Sequence, residues 1–174
     1  MSLRPAQLAD IPVLQALIAE SVMVLQLDYS EAQRKAALGT VFGVDTQLII
    51  DQTYFVIEAD GKIVACGGWS YRKTLYGADA LAGREDNWLD PASDAARIRA
   101  FFVKPGWTRR GLGGQILTAC EAAAEAAGFR HFELGATLTG IPLYRAYGYE
   151  PIEETEAQMA GGLTLPIVRM GKAL

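Results

Sequence analysis

Histidine and cysteine are scarce in this chain, with one of the former and two of the latter among 174 residues. A zinc or iron–sulfur site needs three or four such ligands at short, regular spacing, and Cys66, Cys120 and His131 offer no such pattern. Buried, reduced thiols are the expected state of both cysteines, and no metal is called for. Excess charge is missing as well: a net charge of −4 gives no general attraction to nucleic acid or to an anionic membrane. No basic segment followed by an apolar run opens the sequence, and no uninterrupted stretch reaches the roughly 20 apolar residues of a membrane span. Neither a signal peptide nor a spanning helix is expected. The chain reads as cytoplasmic, where a Cys66–Cys120 disulfide would not persist. Internal repeats, linkers and low-complexity tracts are also absent.

What is present is an ordinary globular balance, 51% apolar and 21% charged residues, expected to form one α/β domain over residues 1–174. Ser2 to Pro5 reads as a short opening strand. Asp10 reads as the N-cap of a helix with Leu14, Leu17, Ile18, Val22 and Leu25 on one face. Ser30-Glu31-Ala32-Gln33 resembles a second helix start, with an end near Gly39. Tyr54–Ala59 and Lys62–Tyr71 read as strands joined at Asp60-Gly61, a strong hairpin signal. Gly67-Gly68 inside the second strand signals a bulge or a close approach by backbone or ligand. The stretch Arg72–Ala96 is either a lid or a surface loop pinned by a buried Trp88. Further strands are expected at Arg97–Val103, Arg130–Ala136, Glu150–Ala157 and Thr164–Met170. Helices are expected after Gly111, ended by Gly128, and over Ile141–Tyr147.

The most informative segment joins the Phe101-Phe102-Val103 strand, through Lys104-Pro105-Gly106-Trp107-Thr108, to Arg109-Arg110-Gly111-Leu112-Gly113-Gly114 and a helix. The first amides of a helix lack internal partners and carry the positive end of its dipole. Glycines let an anion approach that backbone, and two arginines add charge and forked donors. Such a turn suits a pyrophosphate. It lacks the Gly-Lys-Ser/Thr of the ATP-type loop, and Ile116 stands where the dinucleotide fingerprint needs its third glycine. A plain helix cap is the alternative.

The Val-Lys-Pro strand end followed by Arg-Arg-Gly-Leu-Gly-Gly resembles the coenzyme A loop of the GNAT superfamily of N-acetyltransferases. Gly140-Ile141-Pro142-Leu143-Tyr144-Arg145-Ala146-Tyr147-Gly148-Tyr149 resembles that family's second signature, a helix carrying Leu-Tyr that ends at Gly-Phe or Gly-Tyr. With the hairpin ahead of them, the two blocks cover most of residues 2–157 in the family order. The resemblance implies a mixed, mostly antiparallel sheet of six or seven strands flanked by helices. It also implies acetyl-CoA as co-substrate, bound by Phe101, Phe102, Val103 and the turn from Arg109 to Gly114. The Phe101–Val103 strand would splay from its neighbour near Glu133–Thr137, and Tyr144 would stand beside the coenzyme sulfur. A tyrosine hydroxyl of pKa about 10 can protonate a departing thiolate whose thiol has a pKa of about 8.5. The alternative for Tyr144 is packing on the pantetheine.

Three departures from the family pattern matter. Thr108 replaces the usual Gln or Arg, and Thr137 replaces a frequent asparagine. No Glu, Asp or His lies on the Arg97–Val103 strand, where many relatives place a base; Glu133, Glu58 and Asp94 are the substitutes considered, while His131 reads as a strand residue. Arg97 and Arg99 share one strand face. They would either hold an anionic group of the acceptor or pair with acids of the Asp79–Asp94 loop. Trp69, Tyr71 and Trp88 could wall the acceptor, ordinary core packing being the other reading of Trp69. The expected reaction is acetyl transfer to a primary amine of a small molecule. It would be direct, in a ternary complex, because no cysteine is expected beside the acyl site. A non-catalytic acyl-CoA sensor and a protein N-terminal or lysine acetyltransferase are the rival readings, and many relatives form homodimers.

Overall fold

The computed structural model describes residues 1–174. The chain forms β1 (Ser2–Pro5), α1 (Ile11–Leu25), α2 (Glu31–Ala37), α3 (Thr46–Ile50), β2 (Tyr54–Ala59) and β3 (Lys62–Ser70), followed by β4 (Ala96–Val103), α4 (Leu112–Ala126), β5 (His131–Ala136), α5 (Ile141–Ala146), β6 (Glu150–Gln158) and β7 (Thr164–Ala173). All seven strands join one sheet in the order β1-β2-β3-β4-β5-β7-β6. Only β4 and β5 run parallel. The hairpin between β2 and β3 turns at Asp60 and Gly61, both left-handed (φ 52° and 72°), as an Asp-Gly turn matched to strand twist requires.

Two apolar clusters lie on opposite faces of the sheet. One gathers α1 to α3 with Tyr54, Cys66 and Phe102; the other gathers α4 with Trp69, Ile98, Phe132 and Tyr149. Strand β4 contributes to both, and its alternation is interrupted. Cys66 opposes Phe102 and Gly68 opposes Arg99, so two residues of β4, Ala100 and Phe101, face Gly67 alone. Ala100 takes a left-handed φ of 57°. A one-residue bulge exchanges the faces of all that follows: Phe101 packs toward α4 and Phe102 toward α1. Gly67 is required opposite this bulge, since a Cβ there would lie 2.5 Å from the Phe101 ring.

Several sequence expectations are corrected. Asp10 does not cap α1; its carboxylate accepts from the Gln7 N–H one turn earlier and pairs with Arg4 at 2.8 Å. Helix α3 was not anticipated. Ser30 and Gln33 do form the reciprocal capping box. The stretch Leu8–Leu25 is, by length and composition, apolar enough to cross a membrane (mean hydropathy 1.7), although Asp10 and Glu20 interrupt it; Leu14, Leu17, Ile18 and Val22 are buried against the rest of the chain. Trp88 is 72% exposed rather than buried, its ring resting against Tyr71 and Arg72, and the buried residue beside it is Leu89. The segment it belongs to is tied down instead by Arg72 to Asp51 (2.7 Å) and Arg84 to Asp45 (3.0 Å). Both cysteines are free and buried.

Candidate functional site

Pairing between β4 and β5 ends early. Ala96 opposes Phe132 and Arg97 opposes Glu133, and no pair follows, although β4 continues to Val103 and β5 to Ala136. The strands diverge and leave backbone hydrogen-bonding groups of β4 along a cleft of about 920 Å³. Such a gap offers strand-like partners to an extended, amide-bearing ligand.

At one mouth of the cleft lies the turn into α4. Gly106, Arg109 and Gly111 all have left-handed φ (87°, 58° and 76°), a succession that gathers N–H groups into an anion-binding concavity. The first bond of the helix runs from the Gln115 N–H to the Gly111 carbonyl at 3.0 Å, and no turn or cap bond takes a backbone N–H from residues 109–114. These amides are the orphan donors of a helix start, available to a diphosphate. Small residues keep the approach open: a Cβ on Gly111 would meet nothing within 4 Å, whereas one on Gly114 would overlap the Tyr147 hydroxyl. The turn therefore fits coenzyme A.

Phe101, Phe102, Val103, Arg109, Gly111, Leu112, Gly113, Gly114 and Tyr144 all border the cleft. Arg110 does not; its guanidinium stacks 4.4 Å over the Trp107 ring and donates to the Gly106 carbonyl. Tyr144 is half-buried between Phe101 and Tyr149, with ring centroids 6.2 and 6.0 Å away. Its hydroxyl is without a protein hydrogen bond, and burial raises its pKa well above the ordinary phenol value. It therefore remains a protonated, uncommitted donor at neutral pH. Thr137, at the family's asparagine position, accepts from the Gly140 N–H at 3.0 Å and so shapes the entry to α5.

The five residues considered for the acceptor do not border the cleft. Arg97 donates to Glu133 at 2.9 Å. Arg99 is buried on Asp45 at 2.8 Å and also donates to the Gly77 and Thr74 carbonyls. Its partners are thus Asp45 and loop carbonyls, not the acids of residues 79–94. Trp69 is a core residue between Tyr71 and Phe129, and Tyr71 stacks on the exposed Trp88. The candidate bases are equally committed: Glu133 to Arg97 and Arg169, Glu58 to Arg4, and Asp94 to the Asp90 N–H. His131 is exposed at the far end of β5.

Sequence reading missed the opposite mouth of the cleft, made by Gln26, Phe42 and Tyr76. Gln26 carried a usable signal, since it extends the buried Ile18–Val22 row by four residues and puts a carboxamide on the apolar face. Cys66 also borders the cleft, against the expectation of no cysteine there. Burial pushes its thiol up to about 12, so it is no nucleophile at neutral pH.

A search of curated protein sequences gave no match. Among solved structures, a GCN5-related N-acetyltransferase from Rhodopseudomonas palustris aligns at 20% identity and a TM-score of 0.73, over 99% of this chain and 95% of that one. A ribosomal-protein-alanine N-acetyltransferase from Brucella melitensis aligns at 17% identity and 0.65, over all of both chains. A phosphinothricin acetyltransferase from Sinorhizobium meliloti, solved with acetyl-CoA, aligns at 19% and 0.65, over 99% of this chain and 88% of that one. Residues 51–151 match the acetyltransferase (GNAT) domain family. This span contains the bulged strand, the glycine turn and Tyr144, and the chain belongs to that family of acetyl-CoA-dependent N-acetyltransferases.

Proposed function

We propose that residues 1–174 act as one catalytic unit that moves an acetyl group from acetyl-CoA to a primary amine of a small molecule, directly and within a ternary complex. The diphosphate rests on the amides of residues 109–114, and the pantetheine lies along Phe101–Val103 in the gap. The amine nitrogen attacks the thioester carbonyl carbon and gives up one proton to water, the C–S bond breaks, and Tyr144 gives its proton to the departing sulfur and regains one through water. Thioesters are already activated, so positioning and charge stabilisation carry much of the rate. The observation that carries this reading is the end of β4–β5 pairing after Arg97, in a gap bordered by both the glycine turn and Tyr144. The high pKa of Cys66 supports transfer without an acetyl-cysteine intermediate. A small acceptor is favoured over a protein because the segment Leu75–Gly77 beside the opposite mouth is fastened to Arg99.

One observation favours a coenzyme-binding sensor instead: Glu133, Glu58 and Asp94 are all paired elsewhere. Titration with acetyl-CoA, followed by free-thiol release with a panel of amines, separates the two. Binding with release above the protein-free rate supports the enzyme; binding without release supports the sensor.

A further inference from the structure

The geometry points to an acceptor that enters as a neutral, weakly basic amine on an apolar body, an arylamine in chemical class, with one N–H received by Gln26 Oε1. This assignment rests on the acetyl-transfer reading above and names the substrate class of the same cleft.

The glycine turn and Tyr144 lie with the α4 cluster, so the second reactant must arrive from the other face, past Phe102. The walls there are Leu25, Val41, Phe42, Leu75, Tyr76 and Ile167, which are apolar or aromatic. Among all the residues that border the cleft, Arg109 alone bears a formal charge, and it belongs to the diphosphate turn. An alkylammonium group entering this mouth would leave water without a counter-ion, which is costly. It would also have to lose a proton before attacking, with no carboxylate or imidazole at hand. An arylamine avoids both costs because it is already neutral.

Gln26 supplies the complementary polar group. It is 9% exposed, and its Oε1 is buried with no hydrogen-bond partner. Buried acceptors are nearly always satisfied, and an orphan costs about 1–3 kcal/mol. It borders the cleft at the C-terminal end of α1, where an amine N–H would satisfy it. The reaction balances without a charged base. Nitrogen forms the new C–N bond and gives up one proton, the C–S bond breaks, and sulfur takes up one proton from Tyr144. The proton released from nitrogen restores Tyr144 through water.

The test compares 4-methylaniline with 4-methylbenzylamine in acetyl-CoA thiol-release assays, with coenzyme binding measured in parallel by calorimetry. An alkylamine of pKa about 10 is neutral at pH 7 in only about one molecule per thousand. The expected kcat/KM at pH 7 favours the arylamine by roughly tenfold or more, its far larger neutral fraction outweighing the lower nucleophilicity of an aryl nitrogen. The benzylamine rate should climb about tenfold per pH unit while the arylamine rate stays flat. Gln26→Leu should lower kcat/KM for the arylamine roughly tenfold with the acetyl-CoA Kd unchanged, and Gln26→Glu should shift preference toward the benzylamine. Equal or better use of the benzylamine at pH 7 overturns the assignment, as does full arylamine activity in Gln26→Leu. Coenzyme binding without release from either amine overturns it while leaving the coenzyme site intact. Failure to bind acetyl-CoA overturns both readings.

Discussion

The Tyr54 hydroxyl donates to the Ala100 carbonyl at 2.6 Å, fastening the start of β2 to the bulge that redirects β4. Tyr54 is fully buried and Ala100 is left-handed, a conformation costing a non-glycine residue roughly 1–2 kcal/mol. The bond therefore holds a strained residue where Phe101 and Phe102 change faces. Tyr54→Phe should lower stability by about 1–3 kcal/mol, a fall of roughly 2–12 °C in Tm. It should also weaken acetyl-CoA binding several-fold, because the free backbone edge loses its alignment. Melting curves and calorimetry on the same variant would show whether the two effects travel together; unchanged affinity would dissociate the bulge from the coenzyme.

Asp45 accepts from both Arg84 and Arg99 and is 2% exposed. Breaking a buried pair by removing one charge typically costs about 3–5 kcal/mol. Asp45→Asn should therefore depress Tm by roughly 6–20 °C and loosen the segment Leu75–Gly77, raising KM for the acceptor more than for acetyl-CoA. Thermal melts and initial rates at varied acceptor would check this.

Tyr144→Phe should reduce kcat by roughly 100-fold, the usual scale for losing a general acid, with the coenzyme Kd nearly unchanged. Burial raises the Tyr144 pKa, so the acid form persists as pH rises and is lost only above the ordinary phenol range. The pH profile of the wild type should show no descending limb from this group below about pH 10. Cys66→Ala, by contrast, should keep turnover within a few-fold, since that thiol is protonated at neutral pH.

Much of the fold was legible because its signals are local. The Asp60-Gly61 turn, the Ser30–Gln33 capping box and the glycine turn each state their geometry within a few residues. Helix α3 has five residues, too few to display a 3.6-residue period. The fates of Arg97 and Arg99 were hidden for another reason. Alternation correctly put them on one face, but their partners Glu133 and Asp45 are 36 and 54 positions away. The acceptor mouth was illegible in the same way, since Gln26, Phe42 and Tyr76 meet only through tertiary packing.

Acid should destabilise the N-terminal corner in a defined direction. Arg4 hydrogen-bonds Asp10 and holds its carboxyl below the usual range, burial opposing. A carboxylate depressed in the folded state contributes stability that is complete above its unfolded pKa of about 3.9 and is lost as pH falls through the lower folded value. Asp10→Asn should remove that contribution, so the variant should lose less stability than the wild type between about pH 4 and pH 2 in urea melts.

The grip of residues 109–114 on the diphosphate is most directly examined by acetyl-CoA calorimetry on the wild type beside Gly113→Asp. Gly113 has no left-handed φ, and a Cβ there meets only the movable Leu143 side chain, so the variant should fold while putting an anion into the cradle. Binding should be evident in the wild type and weakened by roughly 100-fold or more in the variant, since like charges repel strongly at such range. Equal affinity in the two proteins would mean that the coenzyme does not sit on these amides.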